Sequence, residues 1–345
     1  MESKYYDGTK LLSMKDINGE TPEIYICSGN RTAGKTVYFS RLCVNRFVDK
    51  HEKFMLIYRF NYEVDSVADK FFKDIGSLFF KDMCMESSRK EKGMYHELYL
   101  DGVSCGYAVS LNSADQIKKN AHLFSDTKRM LFDEFQSETN NYCNNEISKL
   151  FSIHTSVARG HGEQVRYVPI YMLSNNVSLI NPYFVALGIS NRLNKDTKFL
   201  RGNGFVLEQC YNISAAKAQE QSAFNRAFSS SNYAMYSSQG VYLNDNVAFI
   251  ERPNGRNRYV CTLKYMGSCY AIREYPDIGI VYCDDKADMS HPLKIAVTTD
   301  DHNINYVMLR QFDSIVKVMR YYFEKGCFRF KNLKAKEAVM QSICY

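Results

Sequence analysis

The chain has 345 residues, 45% of them hydrophobic and 24% charged. This globular composition excludes bulk disorder and suits two domains at ~100–200 residues each. With 18 glycines and 6 prolines it is neither collagen-like nor of low complexity. The net charge of +6 admits a polyanionic partner without requiring one.

The longest apolar runs, such as 54–58, fall far short of the ~18 residues of a membrane helix. Residues 1–10 are polar and hold no apolar core segment, so a soluble protein made in a cytoplasm is expected. The 11 cysteines include no C-x-x-C pair, which predicts free, buried thiols. Seven histidines form no H-E-x-x-H pattern, so no metal cage is expected.

In chain order, 24–27 reads as a short buried strand, followed by a Gly-bounded loop and a helix from 35 to about 49. Residues 54–58 form a second buried strand. The pair 97–100 and 103–111 around Asp101-Gly102 predicts a β-hairpin, since Asp-Gly supplies the positive φ of such a turn. Residues 113–124 read as a helix with Ser113 as N-cap. Residues 129–132 and 168–173 are two more buried strands. Apolar strands alternating with helices predict an α/β fold with a mostly parallel sheet covered on both faces.

The texture changes near 207. A helix at 215–228 precedes the Ser-rich stretches 229–231 and 237–240, typical of a linker. From 247 the pattern is strand-turn-strand over 247–250, 259–265, 270–272 and 279–283, an antiparallel meander. A long amphipathic helix is predicted over 305–323. The expected division is 1–206, a linker or lid at 207–240, and an α+β domain at 241–345.

Gly29-Asn30-Arg31-Thr32-Ala33-Gly34-Lys35-Thr36 matches G-x-x-x-x-G-K-[ST] in full. Such a P-loop curls its backbone N–H groups around phosphate oxygens; its lysine reaches the outer phosphates and its Ser or Thr hydroxyl ligates Mg²⁺. ATP with Mg²⁺ is therefore the expected ligand. The second half of such a site is an acid ending another buried strand, supplied by Asp133-Glu134 after Phe132. Asp133 would hold Mg²⁺ through water, and Glu134 would activate the attacking water. Two adjacent acids favour hydrolysis over transfer to a small molecule. About a hundred residues separate the motifs, room for the inserted strand of the additional-strand, catalytic-glutamate ATPases.

Asn175, at the end of the next strand, is the candidate sensor of the γ-phosphate; the alternative is a simple turn or cap. Between these strands, Arg159 sits in a Gly-flanked loop and fits a finger entering a neighbouring subunit's site, with Arg166 as runner-up; the alternative is a solvated arginine. His154 and His161 read as loop residues, not ligands. Lys118 and Lys119 offer a second trans-acting cation or a DNA contact, against the plainer reading of a solvated helix face. Arg59, directly after the second strand, could face the nucleotide or a neighbour, against an equally weighted reading with no such role.

With these residues in view, the chain resembles the DNA-packaging ATPase of small phi-29-type podophages. The likeness runs along nearly the whole sequence through residues 29–36, Phe132-Asp133-Glu134-Phe135, Leu173-Ser174-Asn175-Asn176-Val177-Ser178, Asn181-Pro182-Tyr183-Phe184 and Thr298-Thr299-Asp300-Asp301. It implies a homopentameric ring at the portal vertex of a prohead in the host cytoplasm. Such a ring drives double-stranded DNA inward with ATP and is joined to the prohead by a structural RNA, with no membrane involved. The family's arginine finger falls on Arg159 and its trans-acting lysine on Lys118 or Lys119. The family's second domain resembles a vestigial RNase H-like nuclease.

Two-metal nucleases need convergent carboxylates, one on the first central strand. Residues 259–265 and 270–272 carry no acid, and Asp284, Asp285 and Asp288 follow a later strand, so a nuclease-like shell without cleavage is expected. The tail offers Arg310, Lys317, Arg320, Lys325, Arg329, Lys331, Lys334 and Lys336 interleaved with Tyr321, Tyr322, Phe328 and Phe330, a pattern suited to nucleic acid or to a helix packed through its aromatics. The rival functions are a terminase-type ATPase with an active nuclease, another P-loop NTPase or helicase acting on nucleic acid, a small-molecule kinase and a non-catalytic scaffold.

Overall fold

Apolar strands that cannot face water on either side pair in parallel at the centre of the larger of two sheets. The computed structural model describes residues 5–159, 163–190, 192–193, 197–229, 231, 236, 242–243, 248–309 and 313–343, without the side chains of 66–69 and 313. The chain divides into two compact units, one of residues 1–136, 146–176 and 194–241, the other of 137–145, 177–193 and 242–345.

The first unit opens with α1 (Thr9–Ser13) and β1 (Ile24–Gly29), then α2 (Lys35–Lys50), β2 (Lys53–Tyr58) and α3 (Asn61–Phe79). The strands β3 (Met85–Lys90), β4 (Tyr95–Leu100) and β5 (Val103–Ser110) follow. Next come α4 (Ala114–Lys119), β6 (Thr127–Phe132), α5 (Glu146–Val157) and β7 (Ile170–Asn175). Its nine-stranded sheet has the order β3-β4-β5-β2-β6-β7-β1-β9-β8, with β8 (Phe199–Gly202) and β9 (Phe205–Cys210) at one edge. The six strands from β5 to β9 pair in parallel. Thus β7 lies between the strand before the Gly-rich loop and the strand that precedes Asp133; it comes from residues after the acid pair, not from the stretch between the two motifs where the spacing leaves room for an inserted strand. Phe39, Cys43, Val44 and Phe47 of α2 are buried at i, i+4, i+5 and i+8, one stripe of a 3.6-residue helix facing the sheet.

The hairpin β4–β5 turns at Asp101 (φ 49°) and Gly102 (φ 76°), the two positive φ values required by the tight turn. The helix expected over 113–124 breaks at Asn120 (φ −113°), leaving α4 and a 3₁₀ turn, Ala121–Phe124. Ser113 makes no cap; its hydroxyl donates to Asn61 Oδ1 at 3.2 Å instead. The helix expected over 215–228 breaks at Ser222 into α7 (Ile213–Gln221) and α8 (Ala223–Ala227), because the Ser222 hydroxyl caps Asn225 N–H. The sequence boundary at 206 falls inside β9, which belongs with α7 and α8 to the first unit. Residues 237–240 lie outside the described residues.

The second unit carries α6 (Pro182–Ala186) and a six-stranded sheet of order β14-β13-β10-β11-β12-β15. Its strands are β10 (Arg258–Tyr265), β11 (Ser268–Tyr275), β12 (Ile280–Asp284), β13 (Lys294–Ala296), β14 (Val307–Met308) and β15 (Phe328–Phe330). The meander β10–β11–β12 is antiparallel. β13 and β14 add in parallel beside β10, and β15 beside β12. Of the strand expected at 247–250, residue 247 lies outside the described residues, and among 248–250 a bridge joins Phe249 to Phe330. The helix expected from 305 is shorter: 307–308 pair as β14, and α9 runs Asp313–Glu324, followed by α10 (Leu333–Ile343). The core joins Met319, Phe323, Val339 and Ile343 to Cys261, Leu263 and Ile272.

Candidate nucleotide site

The Gly-rich loop links β1 to α2. Its two glycines serve different purposes. Gly34 holds φ +95° at the helix start, a backbone conformation that disfavours side chains. Gly29 is needed for close packing: a Cβ there would lie 2.2 Å from Cys210 Sγ and 2.3 Å from the Cys210 carbonyl on β9. Asn30 is buried and pairs both amide atoms with the backbone of Asn212, at 3.0 and 2.9 Å. Those bonds tie the loop to the segment after β9.

Lys35 is buried, and its Nζ donates to Asn30 O at 2.8 Å and Gly29 O at 3.3 Å, inside the curl of the loop. The same Nζ lies 3.4 Å from Asn175 Oδ1 at the end of β7. Asp133 follows β6 and sits with its carboxylate beside the Thr36 hydroxyl. Burial pushes its carboxyl above the usual range, against the opposing pull of Thr36, the Glu134 N–H, Lys35 and Lys70. Glu134 is exposed, has φ 55°, and donates its N–H to Asp133 Oδ1 at 3.0 Å. Thr36, Asp133 and Glu134 line a cavity of 560 Å³, and the same residues with Lys35 and Asn175 line a second of 630 Å³. The loop, the acid pair and Asn175 are therefore brought together around common space.

Arg59 also borders the first cavity, but its guanidinium is occupied. Nε bonds the Glu146 carboxylate at 3.0 and 3.1 Å, and Nη2 donates to Phe135 O at 2.7 Å and Glu134 O at 3.4 Å. The side chain is buried, which removes the expectation that it reaches a neighbour. Arg166 is likewise buried, donating to Val157 O at 2.6 Å and Thr127 O at 3.3 Å. It staples the strand and helix ends together and is not presented for trans action. Arg159, Lys118 and Lys119 are exposed and border neither cavity. His154 Nε2 lies 2.9 Å from Val168 O, a packed position on α5 and not a loop; His161 lies outside the described residues.

Two residues that brace the candidate site escaped the sequence reading. One is Glu146, 87 positions from its partner Arg59. The other is Gln136, buried, whose amide donates to Ser174 Oγ at 3.0 Å and Ser28 Oγ at 3.4 Å. A polar residue two places after the acid pair, in an otherwise apolar neighbourhood, was the available signal. Among the described residues no group of three or more His, Cys, Asp or Glu side chains converges. Nor is any helix among them long and apolar enough to cross a membrane.

The profile of the podovirus DNA encapsidation protein (Gp16) family matches residues 1–343. The chain belongs to that family. It is 26% identical to the DNA packaging protein of Bacillus phage phi29, over 100% of this chain and 97% of that one. The corresponding protein of Bacillus phage B103 is 26% identical over 92% of this chain and 94% of its own. Among solved structures, the bacteriophage phi-29 viral genome packaging motor assembly matches 99% of this chain and 98% of its own, with TM-score 0.56 and 26% identity. The Phi-28 gp11 DNA packaging motor shares the fold, with TM-score 0.59, 15% identity and coverage of 99% and 98%.

Several residues that carried the resemblance to the encapsidation family hold the second unit together. Asn181 caps α6, accepting from Tyr183 and Phe184 N–H at 3.1 and 3.0 Å, with Pro182 at the helix start. Asp301 closes the β10–β11 turn, accepting from Met266 and Gly267 N–H at 2.7 and 2.8 Å. The tail's cations do not form one face. Lys336 is buried and donates to Ser178 Oγ at 2.8 Å, and Lys331 pairs with Asp285 at 2.6 Å. Arg320 bonds Ile343 O and Asn144, Arg329 turns onto Gly326 O, and Phe328 and Phe330 are core. The sequence pattern mixed inward and outward residues because β15 separates two helices; Arg310 lies outside the described residues.

Proposed function

We propose that this chain is the ATP-hydrolysing motor subunit that translocates double-stranded DNA into a phage prohead. The observation that carries the reading is the meeting of the Gly-rich loop with the acid strand: Thr36 beside Asp133, and Lys35 within 3.4 Å of Asn175. In this reading ATP lays its phosphates along residues 29–36, and Lys35 turns from the loop carbonyls to the outer phosphates. Thr36 and the desolvated Asp133 form a hard oxygen pair that suits Mg²⁺, directly and through water; the ion, when bound, would neutralise phosphate charge. Glu134 orients and deprotonates the attacking water, and Asn175 reads the γ-phosphate. The strand β7 inserted between β1 and β6 supports the catalytic-glutamate branch of these ATPases.

Arg159 enters the site of the adjacent subunit, a contribution of ~10³-fold or more in rate in such enzymes, and Lys118 or Lys119 supplies a second trans cation or a DNA phosphate contact. The partners are a homopentameric ring, the portal at the prohead vertex in the host cytoplasm, and a prohead RNA. DNA is gripped by its phosphates, without base readout, since a motor works on every sequence.

For the second unit, a meander followed by parallel strands in the order β12-β11-β10-β13-β14 supports an RNase H-like shell. Cleavage is not part of the reading. β10 carries no acid; Asp284 is buried between Arg273 at 3.6 Å and Arg252 at 4.0 Å, and Asp285 is engaged by Lys331. The test is ATPase activity of the purified protein with and without duplex DNA and proheads, beside Glu134→Gln. That variant should bind ATP and lose turnover by ~10²-fold or more. Absence of nucleotide uptake by calorimetry would overturn the reading.

A further inference from the structure

The 630 Å³ cavity continues past the phosphate loop into an apolar chamber that the chemistry above does not use. It is lined there from three places distant in sequence: Tyr5 and Tyr6, Tyr38 and Arg41 of α2, and Leu78 and Phe79 at the end of α3. Tyr5, Leu78 and Phe79 are 61%, 59% and 39% exposed, unusual for apolar side chains that converge on one hollow. The Arg41 guanidinium lies over the Phe79 ring at 4.5 Å, already arranged as a flat cationic and aromatic surface.

Tyr6 N–H donates to Ala33 O of the loop at 2.8 Å, its hydroxyl donates to Glu208 at 2.7 Å, and its ring meets the Tyr38 edge at 5.5 Å. None of the six residues is a carboxylate or an amide. The Tyr6 hydroxyl is spent on Glu208, and the hydroxyl of another lining tyrosine such as Tyr38 can donate or accept, so it serves an amino or a keto group alike.

We propose that this chamber holds the base of the nucleotide by stacking between the Tyr5–Tyr38 wall and the Arg41–Phe79 pair. The site reads the π face of the base and not its hydrogen-bonding edge, so purine triphosphates are accepted alike. The inference rests on the phosphate-loop reading above. Sites built to hydrogen-bond a substrate edge discriminate by 10⁴-fold or more, whereas apolar walls do so weakly. Base–aromatic stacking of ~1–3 kcal/mol sets the scale of each wall, roughly 5- to 100-fold in affinity.

Calorimetric titration of the full chain with ATP, GTP, CTP and tripolyphosphate tests this. ATP and GTP should bind within about threefold of each other, and CTP about tenfold more weakly. Phe79→Leu and Arg41→Ala should weaken ATP about tenfold and leave tripolyphosphate unchanged. A preference for ATP over GTP of a hundredfold, or equal losses for ATP and tripolyphosphate in both variants, would overturn the stacking site. Lys35→Ala separates the two readings. It should abolish binding of both ATP and tripolyphosphate, and retention of both would sink the phosphate loop itself along with the base site.

Discussion

Replacing Glu146 by Ala would strand a guanidinium inside the first unit. The Glu146 side chain is 0% exposed and that of Arg59 only 7%, so water cannot take the place of the lost carboxylate. Removing one partner of a buried ion pair costs about 3–5 kcal/mol. Arg59 keeps its 2.7 Å bond to Phe135 O and the longer ones to Glu134 O, which places the expectation at the low end, about 3 kcal/mol. At about 2–4 °C per kcal/mol for a unit of this size, melting should fall by roughly 6–12 °C. Scanning calorimetry of the full chain measures it, with Arg59→Met/Glu146→Leu as the second arm. Removing both charges together leaves no stranded ion, and the double variant should recover most of the loss. A Glu146→Ala protein melting within ~2 °C of the parent, or a double variant no more stable than the single one, would refute the argument. Because Arg59 also props the carbonyl of Glu134, whose φ is 55°, Glu146→Ala should slow ATP turnover more than it weakens ATP binding.

Gly29→Ala should destabilise the first unit by about 1–3 kcal/mol, seen as a lower melting temperature. Cys210→Ala should not rescue it, because the Cys210 carbonyl at 2.3 Å remains in the way. Burial raises the Glu208 carboxyl above the usual range. The folded state therefore binds the proton more tightly than the unfolded chain, and this group's contribution falls as pH rises from its ordinary value through the raised one. Glu208→Gln, which keeps an acceptor for Tyr6, should flatten that slope in melts between pH 4 and 8; an unchanged slope would count against it. Thiol labelling of the native protein at pH 8 should modify exposed Cys84 quickly. Cys43, Cys105 and Cys261, each pushed up to about 12 by burial, should wait for unfolding. Mixing Arg159→Ala subunits into wild-type rings should depress prohead-stimulated ATPase by more than their fraction; strictly proportional loss would argue against action across the interface.

Much of the candidate nucleotide site was legible because each part is a local constraint on the chain. The Gly-rich loop, the Asp133-Glu134 pair ending an apolar run and the Asp101-Gly102 turn each satisfy their backbone geometry within a few residues. Helix ends were less legible. Ser113 and Ser222 are equally good caps on paper, yet Ser113 bonds Asn61 while Ser222 breaks a helix. Strand β3, of sequence MESSRK, shows no apolar period because it is an edge with little to bury. The basic, aromatic tail looked like one face; packing sends Phe328, Phe330 and Lys336 inward.

By itself, then, the sequence determined the Gly-rich loop, the acid pair and an α/β chain in two parts. These follow from φ preferences and apolar periodicity acting over a few residues. Only the tertiary structure decided that Gly29 is glycine because β9 passes too close for a Cβ. It also decided that Arg59 is clamped by a residue 87 positions away, and that Arg166 is buried while Arg159 is exposed. A close approach or a desolvated charge pair is made by segments distant in sequence, and no local pattern announces which segments those will be.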